Sequence, residues 1–319
     1  MRIFTLLILS LFCIVTNAQD DYPNRQIRIV VPYSAGGPGD LLARIVGERL
    51  HERWGQTVLV ENRAGASGNI GAAFVSKSPA DGYTLMMAPV GVMVVNPLLN
   101  PNLPYEPLRD FSPITLITKS PFLLAVARSL PVKTVNEFIT YARANPGKLF
   151  MGNAGTGTGQ HLAGVYFANM TATKIMHVPY KGSKEATNDL LANVISAQFD
   201  MVPLIPLLKS EKLIFLGVSS QKRLAFFPDI RTIAELTGIN DYEYEAWNGI
   251  VAPAGVSPAI IFKLQKEISA AILTPEVRER LQSQGLEPVG NSSAEFISII
   301  KADINKYKRL IELGNVKAE

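Results

Sequence analysis

Ile27-Arg28-Ile29-Val30-Val31 runs into the turn Pro32-Tyr33-Ser34-Ala35-Gly36-Gly37-Pro38-Gly39-Asp40, and Leu42, Ile45, Val46, Leu50 and Trp54 follow at helical spacing. The first stretch has the β-branched composition of a buried strand. The last carries one apolar stripe, with Arg44, Glu48, Glu52 and Arg53 on its wetter side. Strand, glycine turn and helix together make the unit from which parallel sheets flanked by helices are assembled. The unit recurs: Val58 to Val60 and Leu85 to Met87 read as strands around an Ala-rich helix from about Asn69. Further strands are expected at Phe122 to Ala127, Leu149 to Gly152, Ile175 to Val178, Ala197 to Met201 and Leu213 to Val218. The fold class is α/β.

Helix boundaries divide the chain further. Thr134 and Glu137 have capping-box spacing and open a helix that ends at Asn145-Pro146-Gly147. Near the C-terminus, Ser257-Pro258 and Thr274-Pro275 each put a cap before a proline suited to the first helical position, and Ser292 with Glu295 repeats the box. These last helices read as a return to the first lobe. The expected organisation is lobe one at 19–121 plus 247–319 and lobe two at 122–246, each a mainly parallel sheet flanked by helices. The two chain crossings would form a hinge, and hinged lobes close around ligands.

The extreme N-terminus has Arg2, an apolar run from Ile3 to Val15, and Thr16-Asn17-Ala18. That order is expected of a signal peptide, residues 1–18, because the run falls short of the roughly 20 apolar residues a membrane span needs. Cys13, the chain's only cysteine, would leave with it, and the bulky Phe12 before it argues against lipidation. Export places the mature chain in the periplasm, without thiol chemistry or disulfides. Lys plus Arg number 31 and Asp plus Glu 27, a net charge of +4 with both signs interspersed, which gives no nucleic-acid footprint. Prolines 89, 97, 203 and 206 interrupt the later apolar stretches, so none reads as a transmembrane helix.

A second glycine-rich turn, Gly152-Asn153-Ala154-Gly155-Thr156-Gly157-Thr158-Gly159-Gln160-His161, lies in lobe two and mirrors the first. Glycine lets backbone N–H groups approach a ligand, and helix N-termini offer unsatisfied donors with partial positive charge. One such turn would read as a tight turn only; one in each lobe of a hinged chain reads as a two-sided anion cradle. Neither turn holds Lys or Arg, so amide dipoles, with Ser34, Thr156 and Thr158 as hydroxyl donors, would meet the charge. That suits a carboxylate better than a phosphate. Neither turn has the Gly-x-Gly-x-x-Gly dinucleotide pattern or a P-loop ending.

Asp40 has two readings, an N-cap or a group that orients the glycine turn or accepts from a ligand donor. His161 would either donate to a ligand or satisfy a loop carbonyl. His51, His161 and His177 lack metal-ligand spacing, and Ser67 in Gly65-Ala66-Ser67-Gly68 lacks that of a nucleophile elbow. Tyr180 and Trp247 could line a cleft or fill a core, with core favoured for Trp247; Asp200 ends a strand as a solvated residue or a pocket wall. The candidate ligand-binding set is Tyr33, Ser34, Ala35, Gly36, Gly37, Asp40, Val90, Gly155, Thr156, Gly157, Thr158, His161, Tyr180 and Asp200, with no metal, cofactor or catalytic residue.

At these residues the chain resembles the substrate-binding receptors of tripartite tricarboxylate transporters, the Bug family. The resemblance runs through Pro32-Tyr33, Gly36-Gly37 and Asp40, Val60-Glu61-Asn62-Arg63, and Asp81-Gly82-Tyr83-Thr84-Leu85. It continues through Gly157-Thr158, His161-Leu162-Ala163-Gly164, His177-Val178-Pro179-Tyr180-Lys181-Gly182, Phe199-Asp200 and Ala252-Pro253-Ala254-Gly255. It implies a two-lobed type II periplasmic-binding fold in which two loops pinch a ligand carboxylate, a monomeric receptor, and integral-membrane transporter subunits as partners. The chain departs from the family pattern at Gly39, where Thr or Ser is common, at Ala192-Asn193, where two glycines are common, and at Ser196, where Asp is common. Those departures bear on ligand identity. Two other functions fit a closing cleft, a module feeding a membrane sensor and a carboxylate-acting enzyme; the second lacks an activated nucleophile, metal set or cofactor fingerprint.

Overall fold

The computed structural model describes residues 22–201 and 204–316; the expected signal peptide, and Cys13 with it, lies outside the described residues. Strand β1 (Ile27–Val31) sends alternate side chains to opposite faces. Ile27, Ile29 and Val31 pack with Leu42, Ile45, Val46 and Leu50 of helix α1 (Pro38–Trp54). After β2 (Val58–Asn62), helix α2 (Asn69–Ser76) covers the other face, where Val30 meets Ala72 and Val75. Cover on both faces is why the strand reads as an unbroken apolar run.

Lobe one continues with β3 (Thr84–Pro89), the short helices α3 (Asn96–Leu99) and α4 (Pro107–Asp110), and β4 (Phe111–Pro121). The second sheet is then built from β5 (Leu123–Ala127), α5 (Val135–Ala144), β6 (Phe150–Asn153), α6 (Gly159–Met170), β7 (Met176–Pro179), α7 (Ser183–Leu191), β8 (Ala197–Asp200), β9 (Leu213–Val218) and α8 (Ile233–Thr237). The chain returns through β10 (Glu245–Pro253), α9 (Pro258–Ile272), α10 (Pro275–Gln282), β11 (Glu287–Pro288) and α11 (Ser293–Leu313).

The strand orders are β11-β4-β10-β3-β1-β2 and β7-β6-β8-β5-β9. In the first sheet β1, β2, β3 and β4 point one way, and β10 and β11 point the other. In the second, β6, β7, β8 and β9 share a direction and β5 alone is reversed. The expected mainly parallel sheets therefore each carry a reversed strand inside them. The cause is the crossing. In both lobes the forward strands end at the inter-lobe cleft, so a chain that crosses over enters from the cleft side and must run away from it.

Two strands beside the crossings, β4 and β10, were absent from the sequence expectation. β4 contains Pro113 and β10 contains Gly249, and either residue inside a run argues against a central strand. Both are accommodated: the β4–β10 pairing slips register between Asn248 and Gly249 and again between Ile250 and Val251. A Cβ on Gly249 would collide with the Phe296 ring of α11, so the strand lies against that helix at glycine distance.

Helix α11, opened by a full Ser292/Glu295 capping box, belongs to lobe one by sequence yet touches both lobes. Tyr307 packs on Tyr244 with ring centroids 5.8 Å apart, Asp303 Oδ2 accepts from Trp247 Nε1 at 2.6 Å, and Lys306 Nζ donates to the Glu243 carbonyl at 2.6 Å. One apolar cluster runs without interruption from Val30 and Met86 through Phe296 and Tyr307 to Phe138, Phe167 and Phe199. The same helix borders a charged group where the chain crosses back: Lys119 Nζ donates to Glu243 at 3.1 Å and to Glu245 at 2.7 Å. Burial, opposed by Lys119, pushes the Glu245 carboxyl up to about 7. No helix among the described residues is long and apolar enough to cross a membrane.

Candidate ligand cleft between the lobes

A cleft of about 710 Å³ opens between the two sheets. Lobe one contributes Tyr33 and Pro38 from the first glycine turn, Val90 after β3, and Asn69 and Asn96; lobe two contributes Thr156 to Gln160 from the second turn and Asp200 at the end of β8. Of the sequence-predicted residues, Tyr33, Val90, Thr156, Gly157, Thr158 and Asp200 are on its wall. Ser34, Ala35, Gly36, Gly37, Asp40, Gly155, His161 and Tyr180 are not.

Asp40 is not the N-cap of α1. Gly37 holds that position without a side-chain bond, and Asp40 is the third helical residue. Its buried carboxylate accepts the Gly36 amide at 3.0 Å, Asn62 Nδ2 at 3.0 Å, and two bonds from Arg44 at 3.0 Å each. Asp40 thus fixes the glycine turn from behind. The hydrogen bond from Arg44 comes first among the causes that hold its carboxyl down at about 2.

The second turn is fixed in the same manner by different groups. Asn153 Oδ1 accepts from the Gly155 amide at 3.0 Å, and His161 Nδ1 accepts from the Gly157 amide at 3.1 Å. His161 therefore neither donates to a loop carbonyl nor reaches the cleft: it is a buried acceptor that shapes the turn, with its proton on Nε2. Its ring meets His177 edge-on at 5.1 Å; burial lowers both imidazoles, His177 to about 4 with some repulsion from His161. Thr158 caps α6, accepting from the His161 amide, and its hydroxyl donates to the Gly155 carbonyl at 2.7 Å. Its hydrogen is already committed, contrary to the expected donor role. Among the described residues, the amides of Thr156, Gly159 and Gln160 keep no partner, and these three residues line the cleft.

Below them lies a polar network that sequence reading missed. Gln160 Nε2 donates to Ser183 Oγ at 3.1 Å, Thr187 Oγ1 to Gln198 Oε1 at 3.1 Å, and Gln198 Nε2 to Asp200 Oδ2 at 3.1 Å. The Met201 amide donates to Asp200 Oδ1 at 2.8 Å, and burial raises this carboxyl above its ordinary value. Tyr180 stands apart: its hydroxyl donates to Asp189 Oδ2 at 2.7 Å and its ring packs over Gly152. Trp247 is 2 % exposed and lines one edge of the cleft while packed on Phe296 at 5.3 Å, as its core assignment predicted.

On the facing wall, Asn69 Oδ1 accepts from Asn96 Nδ2 at 2.8 Å and Tyr105 Oη at 2.7 Å. Ala66 and Ser67 hold left-handed conformations, φ +46° and +54°, and Asn96 Nδ2 ties down the Ser67 carbonyl at 2.8 Å. Strain of this kind, of order 1–3 kcal/mol per residue, persists where the surroundings impose it. Asn69, Asn96 and Gln160 each sit in the first turn of a helix, a signal that the sequence offers but that is shared with ordinary caps. No group of three or more His, Cys, Asp or Glu side chains among the described residues could hold a metal ion.

Residues 42–316 match the family model described as the tripartite tricarboxylate transporter family receptor. The chain is 33% identical to protein BugT of Bordetella pertussis over 300 residues, 93% of this chain and 92% of that protein. Its fold matches a structure of Rpa4515 from R. palustris with adipate at a TM-score of 0.79 and 36% identity, covering 93% and 99% of the two chains. It also matches MatC from Rhodopseudomonas palustris with bound malate at a TM-score of 0.73 and 28% identity, covering 91% and 100%. The matching family is one of receptors, and the two solved relatives hold adipate and malate. The chain belongs to the tripartite tricarboxylate transporter receptor family.

Proposed function

We propose that this protein is a periplasmic receptor that captures a small organic carboxylate in the inter-lobe cleft and delivers it to integral-membrane subunits of a tripartite transporter. The observation that carries the reading is the pair of tied glycine turns, one per lobe, with Thr156, Gly159 and Gln160, whose amides keep no partner among the described residues, on the wall of the space between. In this reading Tyr33, Val90, Thr156, Gly157, Thr158 and Asp200 meet the ligand, and Ser34, Ala35, Gly36, Gly37, Asp40, Gly155, His161 and Tyr180 support them. Lobe one, 19–121 plus 247–319, closes on lobe two, 122–246, about the crossings. Residues 1–18 direct export, and the receptor works as a monomer without nucleic acid. Adipate and malate in the relatives support a carboxylate as the solute.

Mass spectrometry of ligand carried through native purification tests this directly. The identified acid should raise the melting temperature, by roughly 2.7 kcal/mol of stabilisation at about 100 times Kd, while its methyl ester should not. Small-angle scattering should show a smaller radius of gyration with the acid bound. Esters that stabilise as well as acids would remove the carboxylate grip.

A further inference from the structure

Many polar side chains on the cleft wall are already tied. Asn69 Oδ1 takes two donors, Asn96 Nδ2 donates to Asn69 and to the Ser67 carbonyl, and Gln160 Nε2 donates to Ser183. The Thr158 hydroxyl donates to Gly155, and Asp200 accepts from Gln198 and the Met201 amide. Ser120 of β4 and Asn248 of β10 are the half-buried exceptions. Both line the cleft, and neither side chain has a hydrogen-bond partner among the described residues. Ser67 and Asn100 line it too but are exposed, and Asn100 Oδ1 accepts from the Asn102 amide.

The pairing of β4 with β10 puts these two groups on one face. Ser120 stands directly opposite Ala246 and Asn248 directly opposite Thr118, so Ser120 and Asn248 are diagonal neighbours within about 7–8 Å. Thr118 is fully buried, and its hydroxyl also lacks a partner among the described residues. These are the strands by which the chain crosses between the sheets: Pro121 ends β4 one residue beyond Ser120, and Asn248 sits where the β4–β10 register slips. Groups on a hinge keep their mutual distance while lobes rotate about it, so they can hold a ligand before and after closure. A hydroxyl and a carboxamide each donate and accept, which suits a hydroxyl, carbonyl or carboxylate oxygen and adds no charge of its own.

We propose that Ser120 and Asn248 form a second polar anchor, set on the hinge strands, which binds an oxygen-bearing group at the end of the ligand away from the carboxylate at the second glycine turn. This rests on the carboxylate-receptor reading above. The ligand is then a bifunctional acid whose two ends are read by different elements. Backbone amides of the turn take the charge, and two neutral side chains on the hinge take the far group.

The test is calorimetry on protein freed of carried ligand by unfolding and refolding, with three pairs of acids that differ in the far group: butyrate and succinate, hexanoate and adipate, benzoate and 4-hydroxybenzoate. In at least one pair the acid with the far oxygen should bind at least about tenfold tighter than its plain partner, the worth of two hydrogen bonds to neutral groups. Ser120→Ala combined with Asn248→Leu should bring that ratio below about threefold, with the affinity for the plain acid changed by less than about threefold. A ratio that survives in the folded double variant, equal losses for both acids of the pair, or plain acids that bind the wild type as tightly in every pair would overturn the hinge anchor and leave the carboxylate receptor standing. No binding by any acid would overturn both. Ser120→Ala alone deletes one hydroxyl and should lower the ratio by about threefold, so it decides the matter if the double variant does not fold.

Discussion

His161 Nδ1 accepts the amide hydrogen of Gly157 at 3.1 Å, so a buried imidazole holds the tip of the second glycine turn in place. The turn presents a fixed shape to the cleft. Gly157 has φ +79°, and a Cβ there would lie 3.4 Å from Leu99 Cδ1 of the facing lobe. Gly157→Val should therefore strain the backbone by about 1–3 kcal/mol, remain folded, and lose ligand binding. Circular dichroism beside calorimetry checks both parts; near-native affinity in a folded variant would take the second turn out of the site.

Thr158→Val should act on stability before affinity. The hydroxyl caps α6 and donates to Gly155, so its loss should cost about 1 kcal/mol of folding free energy, as cap removals do. Affinity should fall only as far as the turn loosens. A large drop in affinity with an unchanged denaturation midpoint would mean that the hydroxyl meets the ligand after all.

Asp40→Asn should lower the melting temperature at neutral pH, and the gap should shrink to a small remainder by pH 2. The native carboxyl is held at about 2, below its ordinary 3.8, first by the Arg44 hydrogen bond. Its contribution is complete above the unfolded value and disappears as pH falls through 2. Melting curves of both proteins from pH 2 to 7 follow the gap; a gap that persists undiminished at pH 2 would assign the effect to shape rather than charge.

Glu245→Gln should show the reverse slope. Burial raises this carboxyl to about 7 from 4.5, so the native state holds a proton that the unfolded chain releases. Its contribution is complete below 4.5 and is lost as pH rises through 7. The melting temperature of wild type relative to Glu245→Gln should then decline between pH 5 and pH 8. The buried histidines titrate alike in both proteins and cancel. A rising difference over that range would place Glu245 in its ionised form throughout, paired with Lys119.

The flanking units of each sheet were legible in the sequence because their signals are local. Ile27–Val31 is apolar and β-branched, α1 has a stripe, and the glycine turn between them is explicit. The strands that knit the lobes were not legible: Pro113 and Gly249 look like breakers until a register slip and the Phe296 ring explain them. In the site, residue types pointed to the two turns but could not separate wall from support. Asp40, His161 and Thr158 sit in the turns, and only the direction of their hydrogen bonds shows that they hold the backbone. Asn69 and Gln160 sit in first turns of helices, a pattern shared with ordinary caps, and only tertiary folding brings them to one cleft.

The position of β10 has a consequence for the order in which the protein can be made. Lobe two is one continuous stretch whose last strand ends at Val218. Lobe one has β10 between β3 and β4, so its sheet stays split until Pro253 has joined the chain. The earlier-begun lobe is completed later. Its closing contacts join residues far apart in sequence, a topology that slows folding.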